Sequence, residues 1–289
     1  MAADGTYRER VFHAQDDVPI YFRDYGDPNS AAAPVLCLTG LTRNSKDFHP
    51  LAQHLCGRRR VLAMDYRGRG RSGYDRNFLN YHPRNYVSDA IQLLAVAGVH
   101  KVVVLGTSLG GICAMGIGIA MPTALTGVIL NDIGPVVATE GRARIANYVG
   151  NDLRLPDYDA AARALRKQFS PAYPDTGEAH WRHMAECIFA PDPVAGNLRL
   201  DYDLRVADAL RAQAEDDPVD LWPLFRSLGR IPVLAVRGAL SDILDQATFD
   251  RMASEMPAMK QLVVPNRGHV PLPEEEPFAS AIDDFLAAL

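Results

Sequence analysis

Val102-Val103-Val104-Leu105-Gly106-Thr107-Ser108-Leu109-Gly110 is the stretch on which the fold turns. An apolar run of strand length enters a G-x-S-x-G pentapeptide, and an apolar helical pattern over Leu109–Ala120 follows at once. A turn this sharp forces the serine into a strained backbone conformation, and a side chain at either flanking glycine would collide with the adjoining strand or helix. The Ser108 hydroxyl is then lifted above the carboxyl ends of the strands, where open sheets bind ligands, with a helix N-terminus behind it to favour negative charge. The pentapeptide alone also fits a glycine-rich turn with a helix-capping serine. The strand before it and the helix after it favour a nucleophile.

Outward from this turn, Val102 to Asn131 carries no charge, which is long enough for a membrane span. Gly106, Ser108, Gly110, Gly111, Gly116, Gly118 and Pro122 interrupt it, so a buried strand–helix–strand is expected. The rest of the chain alternates in the same way. Strands are expected at Tyr7–Ala14 and Pro19–Tyr25 as an opening hairpin, then at Pro34–Leu38, Arg60–Met64, Lys101–Leu105, Gly127–Leu130, Ile231–Val236 and Gln261–Val264. Helices are expected at Phe48–Cys56, Asn85–Ala97, Leu109–Ala120, Val219–Leu228, Gln246–Met256 and Pro277–Ala288. This is the pattern of an α/β protein with an eight-stranded, mostly parallel sheet covered on both faces.

The alternation fails from 136 to 216. Trp181, Met184, Ala185 and Ile188 fall at i, i+3, i+4 and i+7, Ala161, Leu165 and Phe169 repeat every fourth residue, and prolines from Pro156 to Pro218 punctuate the segment. It reads as a helical insertion over the sheet, dividing a core made of residues 1–135 and 217–289.

Composition narrows the partners. Over 289 residues the net charge is −5, with 48% hydrophobic and 22% charged residues, which fits a compact soluble body and excludes an extensively disordered chain. No block of like charge exceeds Glu274-Glu275-Glu276 or Arg58-Arg59-Arg60, so neither nucleic acid nor a membrane is an expected partner. Cys37, Cys56, Cys113 and Cys187 lie far apart without a C-x-x-C or Cys/His cluster, so free thiols in a reducing compartment and no metal site are expected. The first ten residues lack an apolar signal-peptide core, and the expected location is cytoplasmic.

A serine needs a base to take its proton and a third group to hold that base. His269 follows the last strand through Pro265-Asn266-Arg267-Gly268, and Asp242 follows the preceding strand through Arg237-Gly238-Ala239-Leu240-Ser241. Strand ends of a parallel sheet share one edge, so Ser108, Asp242 and His269 are expected to converge there as nucleophile, acid and base. Asp132, in Asn131-Asp132-Ile133-Gly134-Pro135 after the strand ending at Leu130, is an alternative acid or a hinge leading into the insertion.

These features resemble the α/β-hydrolase superfamily over the whole chain. The resemblance rests on Thr39-Gly40-Leu41, on Asp65-Tyr66-Arg67-Gly68-Arg69-Gly70-Arg71-Ser72, on the serine turn and on Gly268-His269. It implies that the insertion is a cap, that the substrate pocket lies between cap and core, and that the backbone N–H groups of Leu41 and Leu109 form an oxyanion hole. Two departures stand out: Thr39-Gly40 replaces the His-Gly of many relatives, and the spacing from Gly238 to Asp242 is one residue longer than usual. Arg67-Gly68-Arg69-Gly70-Arg71 also invites comparison with RNA-binding tails, but its place after a strand favours a structural loop. In the insertion, Tyr148 and Trp181, with Phe169 and Tyr202, are candidates for lining the pocket.

The expected activity is hydrolysis of a small carboxylic ester or lactone through an acyl-enzyme, with no metal or organic cofactor. Carbon–carbon bond hydrolysis of a diketone, as in the similar meta-cleavage product hydrolases, stays open, as does a non-enzymatic small-molecule sensor on the same scaffold. A serine at the turn counts against haloalkane dehalogenases and epoxide hydrolases, which use an aspartate. The sequence leaves the oligomeric state open.

Overall fold

A computed structural model describes residues 7–215 and 219–289. The amino-terminal segment, the insertion's expected last residue Asp216, its neighbour at 217 and Pro218 lie outside the described residues.

The main sheet has eight strands: β1 (Tyr7–His13), β2 (Pro19–Tyr25), β3 (Val35–Leu38), β4 (Val61–Met64), β5 (Val102–Thr107), β6 (Leu125–Asn131), β9 (Val233–Gly238) and β10 (Lys260–Val264). Their spatial order is β1-β2-β4-β3-β5-β6-β9-β10. The β1–β2 and β2–β4 pairs are antiparallel and the rest are parallel. Each expected strand is present to within a few residues; the central strands β3, β4, β5 and β9 are fully buried and read as largely unbroken apolar runs.

β5 shows how the sheet is held. Its side chains alternate, Val102 and Val104 entering one core and Val103 and Leu105 the other. The first core is closed by α2 (Pro83–Val96), α3 (Leu109–Ala120), α8 (Trp222–Arg226) and α9 (Gln246–Glu255). The second is closed by α1 (His49–Leu55) and α10 (Phe278–Ala287). Each buried valine or leucine contributes roughly 1.5–3 kcal/mol. α3 is buried on most of its circumference, which accounts for its lack of charge. Among the described residues, no helix is long and apolar enough to cross a membrane.

Between β6 and β9 lie α4 (Thr139–Tyr148), α5 (Tyr158–Phe169), α6 (Glu178–Ile188), a two-stranded hairpin of β7 (Phe189–Pro191) and β8 (Leu198–Leu200), and α7 (Val206–Ala214). The Asp157 carboxylate caps α5 by accepting the Ala160 N–H at 2.7 Å. α5 and α6 close a third, separate core: Ala161, Ala162 and Leu165 pack on Trp181, Met184 and Ala185. The hairpin was not expected, because three-residue strands are too short to show a period.

Candidate active site

The parallel strands deliver their carboxyl ends to one edge, and the loops after β3, β5, β6, β9 and β10 meet there. After β5 the chain reverses into α3 through Ser108, whose backbone sits at φ 53°, ψ −118°. Such a conformation costs a non-glycine residue about 1–3 kcal/mol and persists only where its surroundings enforce it. The surroundings here are steric. A Cβ at Gly106 would lie 2.3 Å from the Gly110 carbonyl oxygen, and one at Gly110 only 2.0 Å from that of Leu38.

The His269 Nε2 lies 2.9 Å from the Ser108 Oγ, and its Nδ1 lies 2.7 Å from the Asp132 Oδ2. The insertion grips the histidine's loop. The Gly268 N–H donates to the Ala172 carbonyl at 2.7 Å, and the Tyr173 hydroxyl both donates to the Val270 carbonyl and accepts the Val270 N–H. The backbone on both sides of His269 is thereby held.

The acid beside His269 is Asp132, and the expectation of Asp242 in that position is corrected. Asp132 is the first residue past β6, has φ 55° and is fully buried. Its own N–H donates to the Val236 carbonyl at 2.8 Å, which sets it over the end of the sheet. The last residue of β9 and the loop after it supply donors to this carboxylate. The Gly238 N–H reaches Oδ1 at 2.8 Å and the Ser241 hydroxyl reaches Oδ2 at 2.6 Å. The extra residue between Gly238 and Asp242 puts Ser241 where the acid was expected. Asp242 instead pairs with Arg144 of α4, its Oδ1 2.8 Å from Nη2, with its side chain 34% exposed. Burial raises the Asp242 pKa, but the Arg144 hydrogen bonds and charge outweigh it and hold the carboxyl below its ordinary value.

Two backbone N–H groups flank the serine. Leu109 opens α3, where helix N–H groups have no intrahelical acceptor. Gly40 lies against the nucleophile, and a Cβ there would be 3.8 Å from the Ser108 Cβ. Among the described residues, neither the Leu41 nor the Leu109 N–H meets an acceptor. The Leu41 carbonyl is held from behind by the Arg69 Nε at 2.8 Å. Arg69 is fully buried, with Nη1 on the Arg67 carbonyl and the Tyr86 hydroxyl. Its neighbours Arg67 and Arg71 pair with Asp16, Asp75 and Asp89 and with Glu9 respectively. All three arginines of the loop are therefore engaged within the chain.

The serine and histidine open on a cavity of about 400 Å³ between the sheet edge and the inserted helices. Tyr148, Phe169 and Tyr202 line it, together with Leu41, Arg144 and Glu274. Trp181 does not, which corrects that expectation. It is 1% exposed and packs edge-on against Tyr173 inside the α5–α6 core. We predict that Trp181→Ala lowers the Tm through a loss of about 3–5 kcal/mol, as for other buried large aromatics. A shift in substrate preference with unchanged Tm would contradict that placement. The arginine loop reads as structural, with an arginine anchoring neighbouring backbone, and Arg69 is that residue. Sequence reasoning missed Ser241. Its position, one residue before the expected acid, was the signal.

A serine on a strained strand-to-helix turn at the edge of such a sheet defines an α/β hydrolase architecture. The profile of the alpha/beta hydrolase family matches residues 35–281, and the chain belongs to that family. Its chemistry is hydrolysis. It is similar to an alpha/beta hydrolase of solved structure from Novosphingobium aromaticivorans, with 38% identity and a TM-score of 0.94 over 99% of this chain and 100% of that one. It is also similar to a 3-hydroxybutyrate-oligomer hydrolase of Cupriavidus necator, 32% identical over 86% of each chain. A 2-(acetamidomethylene)succinate hydrolase of Mesorhizobium japonicum is 28% identical over 81% of each.

Proposed function

We propose that the chain is a serine hydrolase that cleaves a small carboxylic ester through an acyl-enzyme on Ser108. The observation that carries this reading is the hydrogen-bonded series Ser108–His269–Asp132 at the floor of the cavity. In this reading the Ser108 Oγ attacks the ester carbonyl while His269 Nε2 takes its proton. Asp132 holds the Nδ1–H and stabilises the imidazolium, and His269 then returns the proton to the leaving alcohol. Water, deprotonated by the same imidazole, clears the acyl group. The Leu41 and Leu109 N–H groups receive the oxyanion, each donor being worth on the order of 10²–10³ in turnover. The inserted helices act as a cap that closes the cavity from solvent. The relative named for 3-hydroxybutyrate oligomers, whose units are joined by ester bonds, supports an ester as substrate.

Arg69 acts through Leu41. Without its bond to the Leu41 carbonyl the loop loses the anchor that aims the Leu41 N–H. Arg69→Met is expected to lower kcat by about 10–100-fold, less than outright loss of an oxyanion donor, while KM changes little. Equal kcat in a folded variant would exclude the role.

A panel of esters, lactones and vinylogous diketones, followed by intact-mass analysis after rapid quenching, tests the reading. Ester turnover with an acyl adduct mapped to Ser108 is expected. Diketone cleavage without ester turnover, or turnover without any adduct on Ser108, would overturn it.

A further inference from the structure

Arg43 and Arg144 both line the cavity that holds Ser108, and each is already paired with an aspartate. Arg43 closes the turn that carries Leu41. Its N–H donates to the Gly40 carbonyl at 3.2 Å, and its side chain packs on Gly40, where a Cβ would lie 3.6 Å from the Arg43 Cγ. Arg144 enters from α4. Each guanidinium is gripped side-on by one carboxylate. Arg43 gives Nε and Nη2 to the two oxygens of Asp47 at 2.7 and 2.6 Å, and Arg144 gives the same two atoms to Asp242. The third nitrogen of each, Nη1, makes no hydrogen bond among the described residues and is not among the atoms shielded from solvent.

The aspartates are felt inside the cavity as well as the arginines. Burial raises the Tyr148 pKa; Arg144 and Arg43 oppose the rise and Asp242 adds to it, so all three charges act on that hydroxyl. At the Cys187 thiol, burial pushes the pKa up to about 12, with Asp47 adding to the rise and Arg43 opposing it. Both residues line the same wall. A carboxylate entering here would lose its water and meet two neutralised pairs, so the attraction of each guanidinium would be offset by the aspartate behind it. An uncharged oxygen meets no such opposition. It has less hydration to lose, and the Nη1 N–H groups are charge-assisted donors that still lack an acceptor.

We propose that Asp47 and Asp242 are specificity-determining residues: by masking Arg43 and Arg144 they make the cavity select an ester whose far end is an uncharged hydrogen-bond acceptor and reject one that carries a carboxylate there. The inference rests on the serine-esterase reading above and narrows its substrate to the uncharged class.

The test uses one acyl chain in two charge states. In p-nitrophenyl methyl adipate the far end is a neutral methyl ester; in p-nitrophenyl hydrogen adipate it is a carboxylate, fully ionised at about pH 7.5. Both esters release p-nitrophenolate, so comparing their kcat/KM values on the full chain isolates the charge. The wild type is expected to favour the diester by about tenfold or more, the effect of one opposing unit charge roughly 10 Å away in a half-buried site. Asp47→Asn and Asp242→Asn keep an oxygen for the arginine but remove the mask. Each should raise kcat/KM for the hemiester about tenfold, while the diester stays within about threefold. Such a gain cannot come from misfolding. Asp242→Glu, which keeps the charge, should retain the wild-type preference.

A wild type that cleaves the hemiester as fast as the diester would overturn the proposal. So would a hemiester rate within about twofold of wild type in both asparagine variants, or a gain in Asp242→Glu equal to that in Asp242→Asn. If neither ester is cleaved, the serine-esterase reading itself fails, and the specificity claim falls with it.

Discussion

Ser108→Ala is expected to lower turnover of an activated ester on the order of 10⁶-fold, as removal of a triad member does elsewhere. The substitution deletes the attacking oxygen and leaves the Leu41 and Leu109 N–H groups in place, so weak binding of substrate should persist. Stability should barely move. The lost contact is the 2.9 Å bond to His269, worth about 1 kcal/mol. The backbone strain at φ 53° remains, because alanine shares the serine's Cβ. Ser108→Gly removes both the nucleophile and the strain, so it should be inactive yet more stable than Ser108→Ala by about 1 kcal/mol or more. Turnover in purified Ser108→Ala within tenfold of wild type, matched for circular dichroism, would exclude the mechanism outright.

Asp132→Asn is the second large effect, and the hydrogen bonds around Asp132 predict its origin. An asparagine must place one NH₂ where a carboxylate oxygen was. On the Oδ1 side it would face the Gly238 N–H, a fixed backbone donor that cannot turn away. The NH₂ is therefore driven to the Oδ2 side, where the Ser241 hydroxyl can rotate but His269 Nδ1 must become an acceptor. That tautomer carries its proton on Nε2 and cannot take one from Ser108. The expected loss is roughly 10⁴ in turnover, by the serine-protease precedent for a mis-set tautomer. Asp242→Asn weakens a half-exposed ion pair with Arg144, worth about 1 kcal/mol or less, and should cost under about tenfold. Steady-state assays of the two variants on one activated ester separate these expectations.

The exchange of Asp242 for Asp132 shows where sequence reading stops. Both aspartates follow strands that end at the same edge, so position along the chain cannot rank them. The decision lies in the left-handed backbone of Asp132 and in the one-residue extension that brings Ser241 to the carboxylate. The extension was visible as a spacing, but its consequence depends on the direction of a side chain.

By contrast, the sheet and the serine turn were legible because they rest on sterics and burial that leave marks in residue type: β-branched runs for β5, and glycines wherever a Cβ has no room. Trp181 illustrates the intermediate case. A helical period reports which face of α6 is apolar, but it does not say whether that face meets the cavity or α5. Glu274 was hidden by its neighbours. In Glu274-Glu275-Glu276 the charge run reads as a solvated surface, yet Glu274 lines the cavity and burial pushes its pKa up to about 7. The Arg67–Arg71 run is similar, since its alternation with glycine says nothing of the aspartates and carbonyl groups that absorb its charges.

The central claim, a nucleophilic Ser108 activated by His269 and Asp132, is tested most directly by the rate of fluorophosphonate labelling with the modified peptide mapped by mass. Wild-type protein should take up one label, on Ser108, and Asp242→Asn should label within about tenfold of the wild-type rate. Asp132→Asn should label slower by about 10³ or more, since the same proton transfer limits both reactions. Labelling at any residue other than Ser108, or a normal rate in Asp132→Asn with a collapsed one in Asp242→Asn, would contradict the account.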